Sequence, residues 1–262
     1  MGHEVERITS SGDVATDVRQ LVDGLGGIGA FVQASNRVLI KPACNSPFQY
    51  PATTDLAVIR TVVELVRTQS SSVAIGDSSG FLHKPTRDAF DGMGLTALAR
   101  ELDVPLLDFD EHEWNRRFEP RARRLGEIHT TAKLDDFDRI IFLPTIRTHA
   151  WARITMALKI GVGLLYVKDR KQLHQSALEE KIADLNLCFA PDLIILDGRK
   201  CFISGGPDRG EERAPGVMFA STARTAIDIE GVRVLQSFGA TGLDMPAEDV
   251  PMIRAALDLE IP

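Results

Sequence analysis

Arg37-Val38-Leu39-Ile40-Lys41-Pro42 and Arg139-Ile140-Ile141-Phe142-Leu143-Pro144 decide the fold. Each is a short apolar run entered from an Arg and stopped by a Pro, broken only by Lys41 at the end of the first. A strand that is apolar at successive positions presents hydrophobic side chains to both faces, which is the mark of a parallel sheet covered on two sides. Ser72-Val73-Ala74-Ile75-Gly76-Asp77, Leu106-Leu107-Asp108-Phe109, Asp192-Leu193-Ile194-Ile195-Leu196-Asp197-Gly198 and Val217-Met218-Phe219-Ala220 read as further strands. Between them lie stretches of helical periodicity: 14–25, 54–68 with Thr53 or Thr54 as cap, 86–93, 95–102, 177–189, and 223–238 with Thr222 as cap. Alternation of strand and helix predicts an α/β fold, a mostly parallel β-sheet flanked by helices and built from repeated strand-loop-helix units. One domain over residues 1–262 is expected, with a boundary near 130–138 if it has two lobes. The Arg-rich stretch 111–124 reads as a surface excursion, and the polar N-terminal residues carry no predicted strand.

Composition narrows the function classes. At 262 residues and 44% apolar content the chain can bury a substantial core. A net charge of −7 leaves no surplus of Lys and Arg to displace counterions from phosphates, so nucleic acid is not an expected partner. Three scattered cysteines, Cys44, Cys188 and Cys201, form no disulfide framework and no iron–sulfur or zinc spacing. With no long apolar run, no membrane association is expected and a cytoplasmic location is predicted. A small anionic molecule is the expected partner, with a homo-oligomer compatible with the composition. No nucleotide motif is present, and the cofactor is left open, a metal ion included.

In open α/β sheets, ligands collect where strands end and loops diverge. Four segments qualify: 41–46, 77–80, 147–149 and 197–206. The third is the richest in chemistry. Arg147 suits a carboxylate, His149 can exchange a proton near neutral pH, and Lys159 can stabilise an oxyanion or enolate, with Arg153, Trp151 and His174 close in sequence. The structural alternative is that His149 only satisfies backbone and the arginines solvate a helix. Lys41, ending a strand, is either a tuned base or the ion-pair partner of Asp77. Asp77, Ser78 and Ser79 either bind ligand hydroxyls or a metal, or form an Asx turn. Asn45 sits in the loop after Lys41. Cys44 there is a nucleophile or inert packing, the latter favoured by the lack of a neighbouring His. His83 with Asp77 and His149 or His174 makes a conceivable metal set, but no HExxH-type spacing supports it, and no metal ligand is assigned. The loop from Ser204 to Pro207 has amides suited to an anion but is no P-loop. His112 and His129 are read as solvated.

Ile40-Lys41-Pro42 with Thr53-Thr54, Gly76-Asp77-Ser78-Ser79-Gly80, Leu143-Pro144 with Thr148-His149, Lys159 and Gly161 followed by His174, and Asp197-Gly198 with Gly206-Pro207 occur in an order that resembles the DUF362 family from about Val38 to Asp228. Many members of that family append a ferredoxin-like module, and this chain lacks its cysteine motifs, so electron transfer does not carry over. Arg147 stands where the family usually has Lys, which keeps the charge. Ile160 stands where Asn is common, which bears on the substrate. The interval from Lys159 to His174 is also similar to one in nickel-pincer lactate racemases. Together these readings imply a small-molecule enzyme of isomerase, epimerase or lyase type, with His149, Lys159, Lys41 and His174 as catalytic candidates and Arg147, Arg153, Asn45, Asp77, Ser78, Ser79 and Trp151 as binding candidates. The alternative is a redox-linked accessory protein that docks an iron–sulfur partner, which would need the cations on a flat, exposed face.

Overall fold

A computed structural model describes residues 4–262. The first half runs β1 (Val5–Thr9), α1 (Val14–Gly24), β2 (Val38–Pro42), α2 (Leu56–Arg67), β3 (Val73–Asp77), α3 (Thr86–Met93), α4 (Leu95–Glu101) and β4 (Leu106–Asp108). An antiparallel pair follows, β5 (Trp114–Arg117) with β6 (Ile128–Thr131). The second half contains β7 (Arg139–Leu143), β8 (Thr145–His149), β9 (Arg153–Ile154), α5 (Ala157–Ile160), α6 (Val167–Leu173) and α7 (Leu178–Leu185). It closes with β10 (Leu193–Gly205), β11 (Gly210–Arg213), β12 (Val217–Ser221), α8 (Arg224–Ser237) and α9 (Pro251–Leu257).

The main sheet has the order β1-β12-β10-β7-β2-β3-β4. Its centre and one flank are parallel, while β12 and β1 add an antiparallel edge. β2 and β7 pair from Val38–Arg139 to Pro42–Leu143, so one sheet passes through both halves of the chain. The reason the opening stretches are apolar throughout is visible in where alternate residues go. Val38, Ile40, Ile141, Leu143, Leu193 and Ile195 join the core under α1 and α2, and Leu39, Phe142, Ile194 and Leu196 join the core on the other face. A period of two thus supplies two cores, each closed by helices.

Several expectations need correction. α2 begins at Leu56 with Asp55 as its cap, accepting from the Ala57 amide at 2.8 Å. Thr54 is diverted to tie strands together, donating to the Leu143 carbonyl and accepting from the Ala43 amide. Thr222 does not cap α8; the Ser221 hydroxyl accepts from the Ala223 amide instead. The helix expected over 177–189 is Leu178–Leu185. Pro144 interrupts β7, but the chain resumes as β8 alongside a long β10. β1 and the β5–β6 pair were not expected. The latter is held by polar links, such as Arg117 with Thr130 across the strands and with Asp135 just beyond β6, and so leaves little hydrophobic trace.

Candidate functional site

The carboxyl ends of β2, β3 and β8 converge on a cavity of about 350 Å³. Lys41, Asp77, Arg147, His149, Lys159, Arg170, His174, Asp208 and Arg209 contribute to its lining, five cationic residues against two acidic ones in a chain whose overall charge is negative. An anion entering this space meets an excess of positive charge in a low-dielectric wall.

Lys41 and Asp77 form the floor. The Lys41 ammonium lies 2.8 Å from the Asp77 carboxylate and 3.0 Å from the Pro42 carbonyl, and both side chains are almost wholly buried. Asp77 also accepts from the amides of Cys44 and Ser78. The pair lies directly over the backbone of Gly163, where an added Cβ would sit 2.1 Å from the carboxylate and 2.7 Å from the ammonium. Of the two roles open to Lys41, the ion pair is the one the geometry has. Cys44 is fully buried and its thiol pKa is pushed well up, chiefly by burial and then by Asp77, which makes it packing and not a nucleophile.

Lys159 forms a wall in the opposite electrostatic condition. It sits on the short helix α5, whose first amides, those of Ala157 and Leu158, donate to the buried Asp228 carboxylate at 2.7 and 2.9 Å. Asn186 holds the Leu158 carbonyl, and Arg224 in turn binds the carbonyls of Asn186 and Phe189. Gly161 follows because a Cβ there would run into the Phe189 ring at 2.1 Å. This scaffold fixes the Lys159 backbone, yet among the described residues its ammonium has no hydrogen-bond or ion-pair partner. Burial, reinforced by Arg147 and Arg170, lowers its pKa to about 7.

The two imidazoles present opposite faces to the cavity. His149 Nδ1 accepts from the amides of Trp151 and Ala152 at 3.1 and 3.2 Å, so the ring proton is on Nε2. Burial, then the positive charge of Lys159 and Arg147, holds its pKa at about 2. The expected proton exchange near neutral pH is therefore corrected: His149 is a neutral hydrogen-bond donor. His174 Nδ1 lies 2.6 Å from the Arg170 carbonyl and must donate to it, which leaves the Nε2 lone pair open. Its pKa is also lowered, mainly by burial.

Arg147 is buried at the end of β8, and one terminal nitrogen donates to the carbonyls of Ala52 and Pro207 and to Asn45 Oδ1. Its Nε is buried without a partner, and burial lowers its pKa to about 10. The Gly206–Pro207 loop thus offers Arg147 a carbonyl, and the Gly206 amide is spent on Arg209, which removes the expected amide cradle. Asn45 bridges Arg147 to Asp208, and Asp208 binds His83 Nε2 at 2.8 Å.

Other candidates fall away. Arg153 is outside the cavity, ion-paired with Glu179 at 2.6 Å, because the β8–β9 turn redirects it. Ser79 is also outside, its hydroxyl bound to the His83 carbonyl, and Ser78 bonds the Gly163 carbonyl. Trp151 lines the mouth and is 57% exposed. The conceivable metal set does not assemble: no cluster of three His, Cys, Asp or Glu suited to a metal occurs among the described residues. Two contributors were not foreseen. Arg170, in the charged run Val167–Leu173, is buried and clamps the Ser78, Ser79, Leu165 and Gly163 carbonyls. Asp208 follows the glycine-rich loop that was singled out for its amides.

The fold and the cavity define an α/β protein with a cationic pocket at its strand ends, equipped with two neutral imidazoles and an unpaired lysine. The chain belongs to the DUF362 family: the family model described as "Domain of unknown function (DUF362)" matches residues 38–233. It is 29% identical over 248 residues to the thylakoid-associated protein sll1697 of Synechocystis sp., covering 91% of this chain and 75% of that protein. Among solved structures it is similar to the lactate racemase apoprotein of Thermoanaerobacterium thermosaccharolyticum, with a TM-score of 0.53 and 13% identity over 77% of this chain. The match spans 51% of that protein, about half of it, and the likeness is one of fold. No helix among the described residues is long and apolar enough to cross a membrane.

Proposed function

We propose that the protein is an enzyme that moves a proton on a small anionic metabolite, an isomerase, epimerase or lyase acting beside a carboxylate. The observation that carries this reading is the unpartnered ammonium of the buried residue Lys159, open to the cavity and with a pKa lowered to about 7, where cations outnumber acids. A buried cation without a counter-ion is costly, and an anionic ligand supplies what the fold omits. The substrate carboxylate lies against Arg147 and Lys159. The His149 Nε2–H group donates to the oxyanion that develops when the adjacent carbon loses its proton. His174 Nε2, held as a lone pair by the Arg170 carbonyl, accepts that proton. His83, tied to Asp208, is the further imidazole available to return a proton.

The fold likeness to lactate racemase accords with isomerase chemistry, as does the Lys159 to His174 interval. A metal-bearing prosthetic group also fits these residues, since the Lys159 amine and His174 Nε2 are both open in one cavity; bound there it would supply a Lewis acid for the substrate oxygen. Elemental analysis of the purified protein reads this directly. The docking alternative needs Arg147, His149 and Lys159 on an exposed face, and all three are buried. A cytoplasmic site of action accords with three unpaired thiols.

The test is solvent exchange. Incubation with a panel of 2-hydroxy and 2-keto acids in deuterium oxide should place deuterium on the acidic carbon of at least one of them, C2 of a hydroxy acid or C3 of a keto acid, read by NMR. Lys159→Met should slow that exchange by about 100-fold or more, the scale of one electrostatic donor. Exchange that persists unchanged in the variant would overturn the proposal.

A further inference from the structure

The mouth of the cavity has a different chemistry from its floor. Phe81 and Trp151 face each other with ring planes 16° apart and centroids 6.4 Å apart. His174 stands edge-on to both, at 72° in each case, with centroids 5.4 Å from Phe81 and 5.7 Å from Trp151. Leu82 borders them and is 74% exposed, and Trp151 is 57% exposed. Leu82 and Trp151 are among the few large apolar side chains left exposed among the described residues, and both line the cationic cavity, as does Phe81.

Aromatic rings prefer stacked or edge-to-face neighbours, and the box of Phe81, Trp151 and His174 offers both at once. Such a box also suits an organic cation, but five cationic residues line the same cavity and repel one. Size points the same way. A cavity of about 350 Å³ has room for roughly twelve waters at about 30 Å³ each, and a three-carbon hydroxy acid, with six heavy atoms, leaves much of that unfilled.

We infer that the substrate is an aryl-bearing carboxylic acid, its acid end held by Arg147 and Lys159 and its ring held at the mouth by Phe81 and Trp151. This rests on the proton-transfer reading for the acid end, and adds Trp151 and Phe81 as the residues that set specificity. The flat ring loses its water by packing beside the stacked Phe81–Trp151 pair, whose rings are too close to admit a third between them, and the acid reaches the cations without the ring having to enter the charged floor.

Calorimetric titration of the full chain with 3-phenyllactate, lactate and 2-phenylethanol tests it. The wild type should bind phenyllactate at least tenfold more tightly than lactate. Trp151→Ala should erase that preference while changing lactate binding less than twofold, and Phe81→Ala should do the same to a smaller degree. Equal affinities for phenyllactate and lactate in the wild type, or a preference that survives Trp151→Ala, would overturn the aryl assignment and leave the acid site standing. Binding of phenylethanol as tightly as phenyllactate would keep the ring site and sink the anion reading. No heat with either aryl compound also overturns the inference, whatever the deuterium exchange shows. Both variants are checked for an unchanged unfolding transition, which the exposure of Trp151 leads one to expect.

Discussion

Lys41 and Lys159 are buried lysines in the wall of one cavity, but the fold treats them in opposite ways. Lys41 is met by Asp77 at 2.8 Å, by the Pro42 carbonyl, and by a glycine chosen so that nothing stands between them. Lys159 is held just as firmly by its backbone, through Asp228 and Asn186, yet its ammonium has no hydrogen-bond or ion-pair partner among the described residues, and burial and two arginines disfavour its charge more than the nearby Asp208 favours it. A fold that can pair one lysine so completely does not leave the other unpaired for want of acidic residues. The difference separates a cation that builds the site from one that is kept for a ligand.

Removing each lysine should break the comparison most visibly. Lys41→Met leaves the Asp77 carboxylate buried without its counter-ion and should cost about 3–5 kcal/mol in urea unfolding at neutral pH. Lys159→Met removes an unpaired charge and should leave stability unchanged or raised. Equal losses in the two variants would erase the distinction. The second effect is on pH dependence. The folded pKa of Lys159, about 7, lies below the unfolded value of about 10.4, so between these the unfolded chain binds the extra proton. Its contribution to stability therefore rises as pH rises from about 7 to about 10, by up to about 1.4 kcal/mol per pH unit, and urea midpoints across that range should show the slope in the wild type and lose it in Lys159→Met. Third, Gly163→Ala forces a methyl group into the Lys41–Asp77 pair and should cost about 1–3 kcal/mol by the same measurement. Smallest is Arg153→Ala, which breaks a partly exposed pair with Glu179. A loss of about 1 kcal/mol or less, with ligand affinity unchanged, is expected.

How much of this was legible follows from where each residue's partners lie. Strands β2, β3, β7 and β12 were readable because burial on both faces demands largely apolar runs, and α3 because its helical periodicity follows directly on the break after β3. β1 and β5 are short edge or hairpin strands with charged residues, and their pairing is decided by distant partners. The segments that build the cavity were found from strand ends, but not the roles within it. Arg147 and Arg153 are six positions apart and chemically identical in sequence; only the turn after His149 sends one inward and the other to Glu179. Arg170 sits among Lys168, Asp169 and Lys171 and reads as a solvated helix face, although two of the carbonyls it clamps, those of Ser78 and Ser79, belong to a loop 92 and 91 residues away. His149 looked like a neutral-pH switch because nothing in the sequence shows that two backbone amides point at its Nδ1.

The most direct measurement is the titration of Lys159 itself, by NMR of the protein labelled with carbon-13 at the lysine ε position, with Lys159→Met to assign the signal. One lysine resonance should titrate near pH 7, vanish in the variant, and move to higher pH when a carboxylate ligand is added. A spectrum in which every lysine titrates near 10, and none responds to the ligand, would contradict the claim that Lys159 is the unpaired cation around which the site is built.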